Sequence, residues 1–187
     1  MDISQRIAAR VRELRTERRL SLEMLAEGSG VSRSMISLIE RGESSATAVV
    51  LEKLATGLGV PLASLFDAPA ASVDPVSRRK DQVEWRDPAS GYVRRNVSPA
   101  GFPSPLQIVE VVFPAGARVA YETGPRPGVM HQQIWVFQGT LEVTLDRTRH
   151  ELGAGDCLAM VADRPITFRN RTAKPVRYAV IIDHRPS

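Results

Sequence analysis

Apolar residues recur every three to four positions through the first third of the chain, then switch to strict alternation. Ile3, Ile7, Val11 and Leu14 form one stripe, which predicts a helix over 3–19 whose other face is mostly arginine. Ser21 is placed to cap a second helix, with Glu23 in its first turn and Leu25 and Ala26 on its inner face. Gly30 supplies a residue able to take positive φ, Val31 leads out of the turn and Ser32 caps a third helix anchored by Ile36 and Ile39. Gly42, after Arg41, ends it. Thr47 caps a fourth helix carrying Leu51, Leu54, Ala55 and Leu58, closed by Gly59. Pro61 opens a short fifth helix with Leu62, Leu65 and Phe66 inward. From about Gln82 the period becomes two: PLQIVEVVF, QIWVFQGTLEVTL, DCLAMV, ITFRN and VRYAVII read as strands between Gly and Pro turns.

Two helices joined by so short a turn must approach closely. Ala26 permits the approach, Gly30 the turn, and Ile36 and Ile39 lock the third helix onto the second. Arg33, Ser34, Ser37, Leu38 and Arg41 are left facing outward, a short polar face suited to the DNA major groove, flanked by the caps Ser21 and Ser32. The run LSLExLAExxGVSRSxISxIERGE, followed by KLAxxLGV and Leu65-Phe66, resembles the XRE family of phage-repressor-like helix-turn-helix regulators from about Arg6 to Asp67. That resemblance implies DNA binding through the third helix and an ion pair between Arg15 and Glu40 that orients it.

Composition changes at Ala68. The stretch APAASVDPVSRRK is small, proline-bearing and then basic, so residues 68–81 read as a linker between domains at 1–67 and 82–187. Arg78, Arg79 and Lys80 are either solvated or in reach of DNA phosphates. The density of short strands predicts an all-β sandwich or closed barrel. Gly139-Thr-Leu-Glu-Val-Thr-Leu-Asp146, Glu151-Leu-Gly-Ala-Gly-Asp156 and Pro165-Ile-Thr-Phe-Arg-Asn170 resemble the cupin barrel over about Leu106 to Ile182. The expected fold is therefore α+β with two domains: a five-helix helix-turn-helix bundle, then a cupin (double-stranded β-helix) barrel.

Many cupins hold a metal through two His and a Glu in a first motif and a His in a second. With Gly139 as the end of the first motif, those positions fall near Arg126 and Gly128, on Gln132 and on Ile166. None is a good ligand, so no metal and no cofactor is expected. His131 beside Gln132 has no evident partner ligands. Strand parity puts Gln132, Ile134 and Val136 on the inner face, joined by Ile166 and Phe168, either as an effector pocket with Arg126 at its edge or as plain core. The same parity puts Trp135 and Phe137 outside. Arg94 and Arg95 are candidates for holding an acidic ligand, with surface arginine as the default. Cys157 reads as a packed small hydrophobe. No Ser/His/Asp set or paired carboxylate is readable, so no catalytic residue is assigned and the chain is read as no enzyme.

The chain has 187 residues, 43% of them hydrophobic, and no apolar run long enough to span a membrane. One cysteine excludes an internal disulfide. With a polar N-terminus lacking a signal pattern, this places the chain in the cytoplasm. Net charge is +4, yet residues 1–67 hold nine basic and nine acidic residues, so affinity for DNA must come from where charge is placed. The sequence thus describes a sequence-specific DNA-binding transcriptional regulator, a homodimer with double-stranded DNA and a small organic effector as partners. Its rivals are a cupin-type enzyme with a DNA-binding head and a DNA-binding dimer with a ligand-blind barrel.

Overall fold

A computed structural model describes residues 3–66, 74–122 and 129–184. The helical part comprises α1 (Ile3–Glu17), α2 (Leu22–Ser29), α3 (Arg33–Glu40) and α4 (Ala48–Gly57). Side-chain oxygens of Ser21, Ser32 and Thr47 accept from the backbone N–H three residues on, at Met24, Met35 and Val50, which satisfies donors that each helix start leaves open. Gly30 ends α2 at φ 67°, a left-handed conformation that a side chain would strain, and its N–H returns to the Ala26 carbonyl. Val11, Leu25, Ile36, Leu51, Leu54 and Leu65 meet in a fully buried centre.

The fifth helix is corrected: Leu62–Phe66 is a 3₁₀ turn, leaving four α-helices among the described residues. It follows Pro61, and Ser64 N–H bonds the Pro61 carbonyl at 3.0 Å, the tighter three-residue closure. Five residues are too few to build an α-helical ladder on top of that. Among the described residues, no helix is long and apolar enough to cross a membrane.

The β part has ten strands: β1 (Glu84–Arg86), β2 (Val93–Asn96), β3 (Leu106–Phe113), β4 (Arg118–Tyr121), β5 (Met130–Gln138), β6 (Leu141–Leu145), β7 (Thr148–Leu152), β8 (Cys157–Val161), β9 (Ile166–Arg169) and β10 (Val176–His184). They form a six-stranded sheet in the order β1-β2-β3-β10-β5-β8 and a four-stranded sheet in the order β4-β9-β6-β7, every pair antiparallel. Ile134, Val136, Leu141, Val143 and Val176 fill the space between them without exposure. Gly139 turns β5 into β6 at φ 85°, and a Cβ there would lie 3.2 Å from the Pro175 carbonyl and from Val176. That close approach is why glycine stands at the end of the first motif. Asn170, wholly buried, donates to the carbonyls of Phe113, Pro114 and Lys174 and accepts from Thr172, tying β9 to the turns beside it.

Two expectations about single side chains are overturned. Cys157 is exposed. It pairs with Trp135 on the sheet's outer face and on its edge strand, where none of the described residues buries it. Arg94 and Arg95 are buried at 4% and 6% exposure. Arg95 is neutralised by Glu110, and Arg94 turns to the other side of β2, over the Phe66 ring.

The helical and β parts share a packed seam. A chain of rings runs from Phe66 to Trp85 (5.4 Å), Tyr92 (5.9 Å), Phe113 (5.9 Å) and Tyr178 (6.4 Å). Buried Asp87, in the turn after β1, accepts the Ala48 N–H at the start of α4 (2.9 Å), while its other oxygen takes the Ser90 N–H. The β part therefore supplies a cap for a helix of the head, a favourable place for a carboxylate. In the stretch before β1, Arg78, Arg79 and Lys80 are exposed, the last two in a short 3₁₀ turn. The linker's first residues lie outside the described ones.

Candidate DNA interface and barrel cavity

The outward face of α3 is held from behind. Arg15 on α1 donates from Nε and Nη2 to the two Glu40 oxygens (2.7 and 2.9 Å), and from Nη1 to the Leu20 carbonyl (2.9 Å). Both side chains are mostly covered, and the Glu40 hydrogen bond raises the Arg15 pKa above its ordinary value. Such a fork fixes the angle of α3 as well as its distance.

Arg33, Ser34 and Arg41 are exposed, Ser37 and Leu38 half-buried, and the capping Ser21 and Ser32 exposed beside them. The face is already knitted by ion pairs. Arg33 Nε lies 2.7 Å from Glu23 on α2, and Arg41 grips Glu43 with Nε (2.9 Å) and Nη2 (2.8 Å) and also donates to Ser37. The Arg41 bond holds the Glu43 carboxyl below its usual range. Met35, 37% exposed in the first turn of α3, belongs to this face and was missed by sequence reasoning. Its position one residue beyond Ser34 was the available signal, hidden because methionine reads as core.

Inside the β part lies a cavity of about 90 Å³. Of the residues expected there, Gln132, Ile166 and Phe168 line it. Ile134 and Val136 lie farther along the same face of β5 and are fully buried core. Arg126 and Gly128 lie outside the described residues. Arg94, one of the arginines offered by the sequence for an acidic ligand, also lines it, Tyr92, Tyr121 and Tyr178 complete a polar side that the sequence did not reveal, and Glu52 of α4 and Leu62 reach the cavity from the head. Burial pushes the phenols of Tyr92, Tyr121 and Tyr178 up from their ordinary value, so they stay protonated hydroxyls. Gln132 Nε2 contacts Met130 Sδ at 3.5 Å. His131 is exposed on the opposite face of β5. A cupin metal does not fit this donor set, in which an amide and an isoleucine stand at two of the ligand positions, and among the described residues no three His, Cys, Asp or Glu side chains group together.

A helix-turn-helix family model matches residues 11–65, and a cupin-domain model matches residues 110–182. The HTH-type transcriptional regulator SutR of Escherichia coli (strain K12) is 27% identical over 183 residues, spanning 98% of this chain and 97% of SutR. The control protein C.MunI of a Mycoplasma species is 38% identical over 66 residues, 35% of this chain and 89% of that protein. A crystal structure of an HTH_3-family transcriptional regulator from Vibrio cholerae superposes with a TM-score of 0.78 at 26% identity, covering 98% of this chain and 97% of that one. The chain therefore carries an XRE-type helix-turn-helix domain, braced by the Arg15–Glu40 fork, followed by a cupin domain, and it resembles HTH-type transcriptional regulators along almost their full length.

Proposed function

We propose that this chain is a sequence-specific DNA-binding regulator, not an enzyme, acting in the cytoplasm as a homodimer, with a head at 1–67, a linker at 68–81 and a sensor at 82–187. The observation that carries the reading is the exposed face of α3, aimed by a covered ion pair. Arg33, Ser34, Ser37, Leu38 and Arg41 read or contact the major groove, and the capping Ser21 and Ser32 sit where phosphates pass. The partly polar cavity supports control by a small organic effector.

One short helix reads only a few base pairs, so two heads spaced about one DNA turn, roughly 34 Å, are required for a specific site. Apolar side chains exposed on the outer face of the six-stranded sheet, among them Ile108, Val112, Trp135 and Phe137, support pairing there. Selection from random duplexes tests the reading. The wild type should enrich an inverted repeat, and Arg33→Ala should relax one base pair in each half-site, a loss of about 1–3 kcal/mol of discrimination there. The same base preferences in both proteins would remove Arg33 from the interface.

A further inference from the structure

The cavity joins the two halves of the protein through one side chain. Arg94 is 4% exposed, forms part of the cavity wall, and places its guanidinium carbon 4.3 Å from the centre of the Phe66 ring. It therefore faces the interior of the barrel and the last turn of the head together. Arginine has only donors, and in a low-dielectric wall its planar fork favours a carboxylate over neutral groups. Around it stand the protonated phenols of Tyr92 and Tyr121, whose hydroxyls share one hydrogen bond (3.2 Å), the phenol of Tyr178 and the amide of Gln132. The remaining wall is apolar, including Val109, Val119 and Phe168.

The head contributes the opposite charge. Glu52 lines the same cavity from α4. The wall thus carries one cation from the barrel and one carboxylate from the head, so a charged ligand meets both halves of the protein.

We propose that the cavity takes a small apolar carboxylate, its anionic end on Arg94 and its hydrocarbon against Val109, Val119 and Phe168, and that its binding is felt by the head through Phe66 and Glu52. This rests on the effector reading above and specifies the ligand's chemistry and its route to the DNA-binding part. Two sources share that chemistry: a simple branched-chain acid, and an amino acid whose ammonium group Glu52 would receive. A guanidinium drawn toward a ligand carboxylate gives up part of its stacking on Phe66, so occupancy shifts the fit of the head on the barrel.

Isothermal titration of the intact chain with four matched probes tests this: 3-methylbutanoate, leucine, 3-methylbutanamide and 3-methylbutylamine. At least one of the two carboxylates should bind, with the amide and the amine weaker by about tenfold or more. Glu52→Gln should weaken leucine selectively if the amino acid is preferred. Arg94→Gln should abolish the preference for carboxylate. If that variant does not fold, Tyr121→Phe, which removes one hydroxyl, should weaken the carboxylate several-fold. Phe66→Leu, outside the cavity wall, should also alter carboxylate affinity. Tighter binding of the amine or amide overturns the inference and leaves the effector reading standing. Silence from all four probes overturns it as well. The effector reading then falls only if a broad metabolite panel also leaves the melting temperature unmoved.

Discussion

At the scale of single residues, the Arg15–Glu40 fork shows how a charge pair can specify geometry without adding much net stability. Each partner is largely removed from water, at 14% and 8% side-chain exposure, so the Coulombic gain is spent against desolvation. Removing one partner strands the other. Glu40→Ala should lower stability by about 3 kcal/mol in urea unfolding, whereas Arg15→Met combined with Glu40→Leu should recover most of that loss. The double variant should nonetheless bind DNA less selectively, since apolar packing does not fix the angle of α3. Equal losses from the single and double variants would show that the pair contributes stability outright. This pair was legible in the sequence because it rides on a motif with fixed spacing. The sides taken by Arg94 and Arg95 were not, since arginine in a strand gives no sign of which side it takes: Arg95 reaches Glu110 on the neighbouring strand and Arg94 the cavity.

At the scale of elements, the helix caps and the parity of β5 could be read directly, because each depends on residues close in sequence. Ser21, Ser32 and Thr47 each accept the expected N–H, and Trp135 and Phe137 stand outside while Ile134 and Val136 stand inside. What escaped depends on distant parts. The start of α4 has a local cap in Thr47 and a remote one in Asp87, 39 residues away. Nothing near Asp87 in sequence announces that role. Asp87→Ala should cost about 1–3 kcal/mol, because it leaves the buried Ala48 N–H without its acceptor and removes a carboxylate from the helix start. Hydrogen exchange at Ala48 should accelerate more than at Met24, whose cap is untouched. Equal protection at Ala48 in the variant and the wild type would mean that Thr47 alone holds the start of α4. The 3₁₀ turn at Leu62–Phe66 escaped for the opposite reason, since its apolar spacing is shared by both helix types and only its length decides.

At the scale of the whole molecule, the head and the barrel are joined by side chains from both. Phe66, Trp85 and Tyr92 pack in sequence across the seam, and the cavity is bounded on one side by residues of α4 and of the turn that follows it. The resemblances gave each half but not how they meet, because contacts between domains leave no periodic trace in a chain. The outer sheet face is the remaining surface that a monomer leaves costly. Trp135 and Phe137, 4.9 Å apart and 49% and 37% exposed, stand there with Ile108 and Val112. Sedimentation of the intact chain with its selected duplex tests most directly whether a two-headed dimer reads DNA. The protein should sediment as a dimer at micromolar concentration and bind one duplex per two chains, and Trp135→Ser with Phe137→Ser should give monomers that lose most specific affinity. A monomer binding the same duplex one to one with undiminished selectivity would contradict it.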